Sequence, residues 1–280
     1  MLYAHKYGSA GTSEKTMLFK YSFCCSLIGV AVGFCLLLIN GREIYLDLYT
    51  VLTAALFGAM LALCTLITFY SMQVTTVAIS SVFKAASVII PCVFGAIFFD
   101  ESITLLNIVG FLLFILSVYL IVYPPKIEAT KRFGFSALLA CIAVLLTNGF
   151  GSVAIQLFGK LVPYGNEAVF MFISYAVQSL ILGIVSLLFA LKHKNEAKNR
   201  VSKKMWIFAF VGTACGFAIN QTLTALSSHI PALVIFPITM GSSVIMGVIV
   251  GWVCFKEKLT LKNMIGIFFG ILSLVMINLF

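Results

Sequence analysis

Nine apolar stretches, at roughly 18–39, 48–70, 75–98, 104–123, 134–157, 168–191, 206–226, 231–254 and 262–280, make up most of this 280-residue chain. Each is about 20 to 25 residues long, the length an α-helix needs at about 1.5 Å per residue to cross a ~30 Å hydrocarbon core. Lipid holds no water to satisfy backbone N–H and C=O groups, so a spanning segment must be a helix or part of a closed barrel. Barrel strands would be half as long and would alternate apolar with polar residues; these stretches do neither. Hydrophobic residues make up 62% of the chain and charged ones 10%, a balance that no water-soluble surface tolerates. The fold class expected is all-α, a polytopic membrane protein whose connections are too short to hold a soluble domain. The polar stretch before Met17 has no apolar core ahead of it, so we expect no signal peptide.

The basic residues orient the spans. Lys and Arg near span ends prefer the cytoplasmic side, and alternating the loops between two faces puts fifteen of the eighteen on one face, Arg42 and Lys160 on the other, and Lys84 inside a span. The N-terminus is therefore expected in the cytoplasm and Phe280 outside. This topology signal, facing anionic lipid, accounts for the net charge of +9 without any nucleic-acid partner.

Residues 76–123 recur as 232–279. A shift of 156 positions pairs Gly95 with Gly251, Phe99 with Phe255, Glu101 with Glu257, Thr104–Leu105 with Thr260–Leu261, Asn107 with Asn263, Gly110 with Gly266, and Ile115–Leu116–Ser117 with Ile271–Leu272–Ser273. Five crossings separate the two copies, so they point in opposite directions through the membrane. Their loops agree: Asp100 and Glu101 lack basic neighbours, whereas Glu257 lies between Lys256 and Lys258. Such an inverted-topology repeat is a mark of transporters. A shift of 153 extends the match weakly, pairing Phe19 with Phe172 and Ser26–Leu27–Ile28 with Ser179–Leu180–Ile181. The first span thus corresponds to the sixth, and the span at 134–157 has no counterpart. We therefore expect inverted repeats of five-helix units, with nine transmembrane helices seen and ten expected, the first being absent. The first repeat occupies 1–123 with four helices and the second 134–280 with five.

These residues resemble the drug/metabolite transporter superfamily and, within it, the EamA-like family. In that family the fourth helix of each half ends in a Pro- or Gly-containing apolar stretch, followed by a glutamate and then a helix with a central glycine. Here the pattern reads Pro91 to Gly95, Glu101 and Gly110, and again Gly247 to Gly251, Glu257 and Gly266. The resemblance covers essentially the whole chain through loose motifs. It implies alternating access around a central cavity, with small metabolites, amino acids or drug-like solutes moved across a cytoplasmic membrane of bacterial type. The chain departs from the family in its absent first helix and in Lys84, at a place that is usually uncharged.

Lys84 is the ionisable residue deepest within any span, about nine residues or some 13 Å along the helix of 75–98. A charge at that depth costs roughly 2.5–3.5 kcal/mol on insertion scales, so it is expected to face the protein interior or a wet cavity. Ser80, Lys84, Ser87 and Pro91 recur at helical spacing and share one face. Two readings stand side by side: Lys84 attracts an anionic or zwitterionic substrate or takes part in coupling, or it is a fixed lysine bound to helix carbonyls or a nearby Asn or Gln. The corresponding positions in the second copy are Phe236, Met240, Ser243 and Gly247. Asn148, Asn220, Gln221, Thr239 and Ser243 are further substrate-binding candidates, with Thr147, Gln156, Gln178 and Ser242 behind them; such side chains also simply join neighbouring helices. Small-residue pairs such as Gly29/Gly33, Ala54/Gly58/Ala62 and Gly266/Gly270 are expected to pack helices within the chain.

No catalytic or metal constellation is expected. The eight cysteines lie in apolar spans without a CxxC motif, and His5, His193 and His229 sit in the tail or at span ends. No paired carboxylates or Ser/His arrangement shares a depth, which argues against a membrane enzyme. No span contains an acid of the kind on which small multidrug proton antiporters depend. The expected function is a transporter without a cofactor, whose partners are a small-molecule substrate, the bilayer and a coupling proton or ion. A lipid-linked carrier or flippase of the same fold is the alternative.

Overall fold

A computed structural model of the chain describes residues 15–40, 47–74, 77–101, 104–122, 135–162, 165–192, 203–242 and 261–278. Among them the regular structure is helical: α1 (Lys15–Asn40), α2 (Leu48–Val74), α3 (Val77–Ala86), α4 (Ile89–Phe98), α5 (Leu105–Val122), α6 (Phe135–Leu161), α7 (Glu167–Lys192), α8 (Lys203–Leu226), α9 (Ala232–Ser242) and α10 (Leu261–Asn278). Five apolar segments, Phe19–Ile39, Leu48–Ser71, Phe135–Leu161, Glu167–Leu191 and Ala209–Leu226, are long enough to cross a membrane. Among the described residues the nine expected spans appear as ten helical segments, because the third is broken at Ser87–Val88 into α3 and α4.

The burial pattern is that of a helix in lipid. α5 turns Leu105, Leu112, Leu116 and Tyr119 outward and buries Asn107, Gly110, Phe114 and Ser117. In water that arrangement would be inside out. In a bilayer the outer surface gains nothing from being polar, while buried hydroxyls and amides join helices.

The chain divides into two compact units, one formed by residues 1–65 and 157–228, the other by 66–156 and 229–280. Each draws on both halves of the chain. In the first, α1 packs on α7 and α8. Gly29 lies against the Tyr175 ring and Gly183 against Phe23, where a side chain would collide, and Gly33 lies against the Phe172 backbone, where it would be crowded. Phe19 and Phe189 pack with tilted rings, their centroids 4.3 Å apart. Gly58 of α2 abuts the Ser174 carbonyl, between the fully buried Ala54 and Ala62. In the second unit α5 packs on α10, where Ser117 Oγ donates to the Gly266 carbonyl at 2.6 Å. A Cβ on Gly270 would come within 2.7 Å of the same hydroxyl. These contacts are the close approaches that small residues permit between membrane helices.

Candidate functional site

The break in the third span brings three of the expected site residues, Lys84, Ser87 and Asn148, together. Pro91 has no N–H, so it cannot bond to the Ser87 carbonyl one turn back. That carbonyl accepts instead from Ile90 N at 3.1 Å, and Val88 N turns to the Ala85 carbonyl at 3.3 Å. The helix tightens and the Lys84 carbonyl loses its regular partner. Two side chains replace it: Ser87 Oγ donates to it at 2.7 Å and Asn148 Nδ2 at 3.5 Å. Asn148 Nδ2 also donates to Ser87 Oγ at 2.6 Å. Asn148 reaches the break because its neighbour Gly149 lets α6 approach α4, with a Cβ there colliding with Ile90.

Ser80, Ser87 and Pro91 are buried and Lys84 is half-buried, while Ile89 and Val93 face outward. The four residues read as one stripe therefore all lie on the inward side. No carboxylate among the described residues pairs with the Lys84 ammonium. The break thus gathers a hydroxyl, a carboxamide and the displaced carbonyl of the half-buried Lys84. Thr147 is taken up by its own helix, its hydroxyl donating to the Ala143 carbonyl at 2.8 Å. Thr239 Oγ1 likewise donates to the Ile235 carbonyl at 2.7 Å. Ser243 lies outside the described residues.

The first unit holds a separate polar group. Asn220 Nδ2 donates to the Tyr175 hydroxyl at 3.4 Å, and the Tyr175 ring packs on Phe217 with centroids 5.1 Å apart. Gln178 and Gln221 each leave a buried Oε1 without a hydrogen bond. Asn220 and Gln221 were readable as candidates. Tyr175 was not, because an apolar span offers no sign that a tyrosine there is buried beside an asparagine.

Glu101 makes a contact that the sequence hides. Asp100, at φ 51, occupies the left-handed region that Asp tolerates better than most side chains. The chain consequently folds back at the end of α4, and the amides of Phe99 and Glu101 both point to the Gly95 carbonyl, at 2.9 and 3.3 Å. The Glu101 carboxylate then accepts from the first amides of α9, Oε1 from Ala232 N at 3.1 Å and Oε2 from Leu233 N at 3.3 Å. The amides of Val234 and Ile235 bond the Pro231 carbonyl, each at 3.1 Å. The start of α9 is thus capped by a residue far away in sequence, with negative charge at the positive end of the helix dipole.

This arrangement, long apolar helices, one of them broken at mid-span around polar side chains, defines a polytopic membrane protein of the carrier kind. The family model of EamA-like transporters matches residues 135–279. The chain belongs to the EamA-like transporter family and is a membrane transporter of the drug/metabolite type. A search of curated proteins gave no match. Among solved structures, one crystal structure aligns over 99% of this chain and 96% of its own at a TM-score of 0.74, with 14% sequence identity. At that identity the likeness concerns the fold alone.

Proposed function

We propose that this transporter moves a small carboxylate-bearing metabolite or amino acid across a bacterial cytoplasmic membrane by alternating access, and that Lys84, Ser87 and Asn148 contact the substrate. The observation that carries this reading is a half-buried lysine at a helix break within the membrane. A lysine there is costly unless a solute or cavity water meets its charge, and a broken helix presents backbone groups that a continuous helix keeps to itself. Ser80 continues the same inward stripe. Asn220, Gln221, Thr239 and Ser243 are further substrate contacts proposed from the sequence. The basic loops face the cytoplasm in this proposal, and residues 1–123 and 134–280 form the inverted repeats.

Proteoliposomes holding the purified protein, tested with a panel of labelled amino acids, small organic acids and a lipid-linked amphiphile, provide the test. Carboxylate solutes are expected to accumulate. Lys84→Met and Lys84→Gln are expected to raise KM for them by about tenfold or more, the size of a lost charge-assisted contact. Unchanged rate, affinity and pH profile in both variants would make Lys84 a structural residue. Movement of the amphiphile alone would favour the lipid-carrier reading.

A further inference from the structure

A groove runs between α1 and α8 on the outer surface of the first unit. Its volume is about 410 Å³, and Ile28, Trp206, Ile207, Phe210 and Val211 line it. The four α8 residues are 46–64% exposed, so no described helix of the unit covers them. The two helices run in the same direction: Tyr21 packs on Ala209, and one turn further along both, Cys25 meets Thr213. Their starts therefore share one end of the groove. Lysines gather there. Lys20 precedes Tyr21 on α1, Lys203 and Lys204 open α8 just ahead of Trp206, and neither helix carries an acid in its first turn. With Tyr21 level with Ala209, the three lysine positions spread over about 6–8 Å of helix, comparable with the depth of one headgroup layer. Trp206 stands between these charges and the apolar lining, where indoles sit at the boundary of headgroups and acyl chains.

We propose that this groove binds one anionic phospholipid, with an acyl chain along Ile28, Ile207, Phe210 and Val211 and the headgroup at the lysines of the two helix starts. An apolar surface in a bilayer discriminates little between acyl chains, since lipid tails are as apolar as the side chains they meet. The headgroup is what selects. Each basic residue near a membrane surface attracts anionic lipid, and three at one depth with no acid in either first turn favour a headgroup of net negative charge over a zwitterionic one. The groove fixes the place. A chain seated between two helices meets protein on two sides and gains dispersion contacts that a chain on a flat surface lacks. The site belongs to the first unit and does not depend on the substrate assigned above.

Trp206 is a built-in reporter, since the chain holds two tryptophans and Trp252→Phe leaves Trp206 alone. Its fluorescence is measured in phosphatidylcholine bilayers with a rising fraction of phosphatidylglycerol brominated on its acyl chains, and in the reverse mixture with brominated phosphatidylcholine. Bromine quenches an indole that it touches. Quenching by the anionic lipid is expected to saturate at a low mole fraction, as a single site does, with binding about tenfold or more tighter than that of phosphatidylcholine. Lys203→Gln combined with Lys204→Gln is expected to remove most of that preference. Salt at about 1 M is expected to do the same in the unaltered groove, because it screens charges beyond about 3 Å. The proposal is overturned if the two lipids quench alike, if quenching rises only in proportion to the anionic lipid added, or if the preference survives the double variant; the salt result decides alone should that variant not fold. Quenching by neither lipid would show the groove covered by a second copy or another protein, and would overturn it too.

Discussion

Asn148 shows how one side chain in a membrane helix is held to its place by arithmetic of donors and acceptors. Its carboxamide covers a carbonyl that Pro91 has indirectly set free and a hydroxyl that donates to the same carbonyl. Replacing it with alanine is expected to cost about 1–2 kcal/mol, read as a lower melting temperature in detergent. Asn148→Asp is expected to be worse than alanine, because an ionised carboxylate would face the Lys84 carbonyl, acceptor against acceptor. If aspartate and alanine prove equally stable, the bond from Asn148 to the break is not what holds this region. The type and depth of Asn148 could be read in the sequence, and so could those of Lys84, since polar residues stand out in an apolar run. Their partnership could not, because residues 84 and 148 are joined only by the packing of α6 at Gly149.

Among the described residues the helices were largely readable, since hydrophobic length alone sets where a chain can cross lipid, while positions 243–254 of the eighth span lie outside them. The exception is the third span, which is two helices rather than one. Pro91 in an apolar run is compatible with either a bend or a break, and what decides between them is whether neighbouring side chains can take up the freed carbonyl. Restoring the donor with Pro91→Ala is therefore expected to join α3 and α4 into one continuous helix and to leave Asn148 without its carbonyl. Stability should rise or hold in a thermal melt while solute flux falls; loss of stability with unchanged flux would refute the idea that the break serves transport. Gly149→Ala tests the same joint from the other side. Its Cβ would meet Ile90, and the overpacking is expected to cost about 1–3 kcal/mol. The glutamate after the fourth-helix motif was visible as a family resemblance, yet its reach to Ala232 and Leu233 depends on the left-handed turn at Asp100, which no local pattern announces.

Each compact unit contains a helix packed against its own sequence mate. In one unit α1 meets α7, the pair related by a shift of 153, and in the other α5 meets α10, the pair related by 156. The repeat was plain in the sequence, but not that mates would be neighbours, since duplication specifies likeness and not contact. Contact between like surfaces is what a two-fold axis produces, as in a symmetric dimer. The proposed orientation carries its own check: single cysteines placed at Lys126 or Lys198 should be shielded from an impermeant thiol reagent in intact cells, and one at Arg42 should react. The reverse pattern would invert the whole assignment. The break in the third span finally bears on how the protein is made. The carbonyl at Lys84 waits for an asparagine 64 residues further on, and the carboxylate at Glu101 for amides 131 and 132 residues further on. A nascent chain halted before α6 is synthesised therefore carries a charged, fractured segment that lipid receives poorly. We expect the insertase to retain this segment until α6 arrives, visible as crosslinks to the insertion machinery that vanish once arrested chains extend past Asn148.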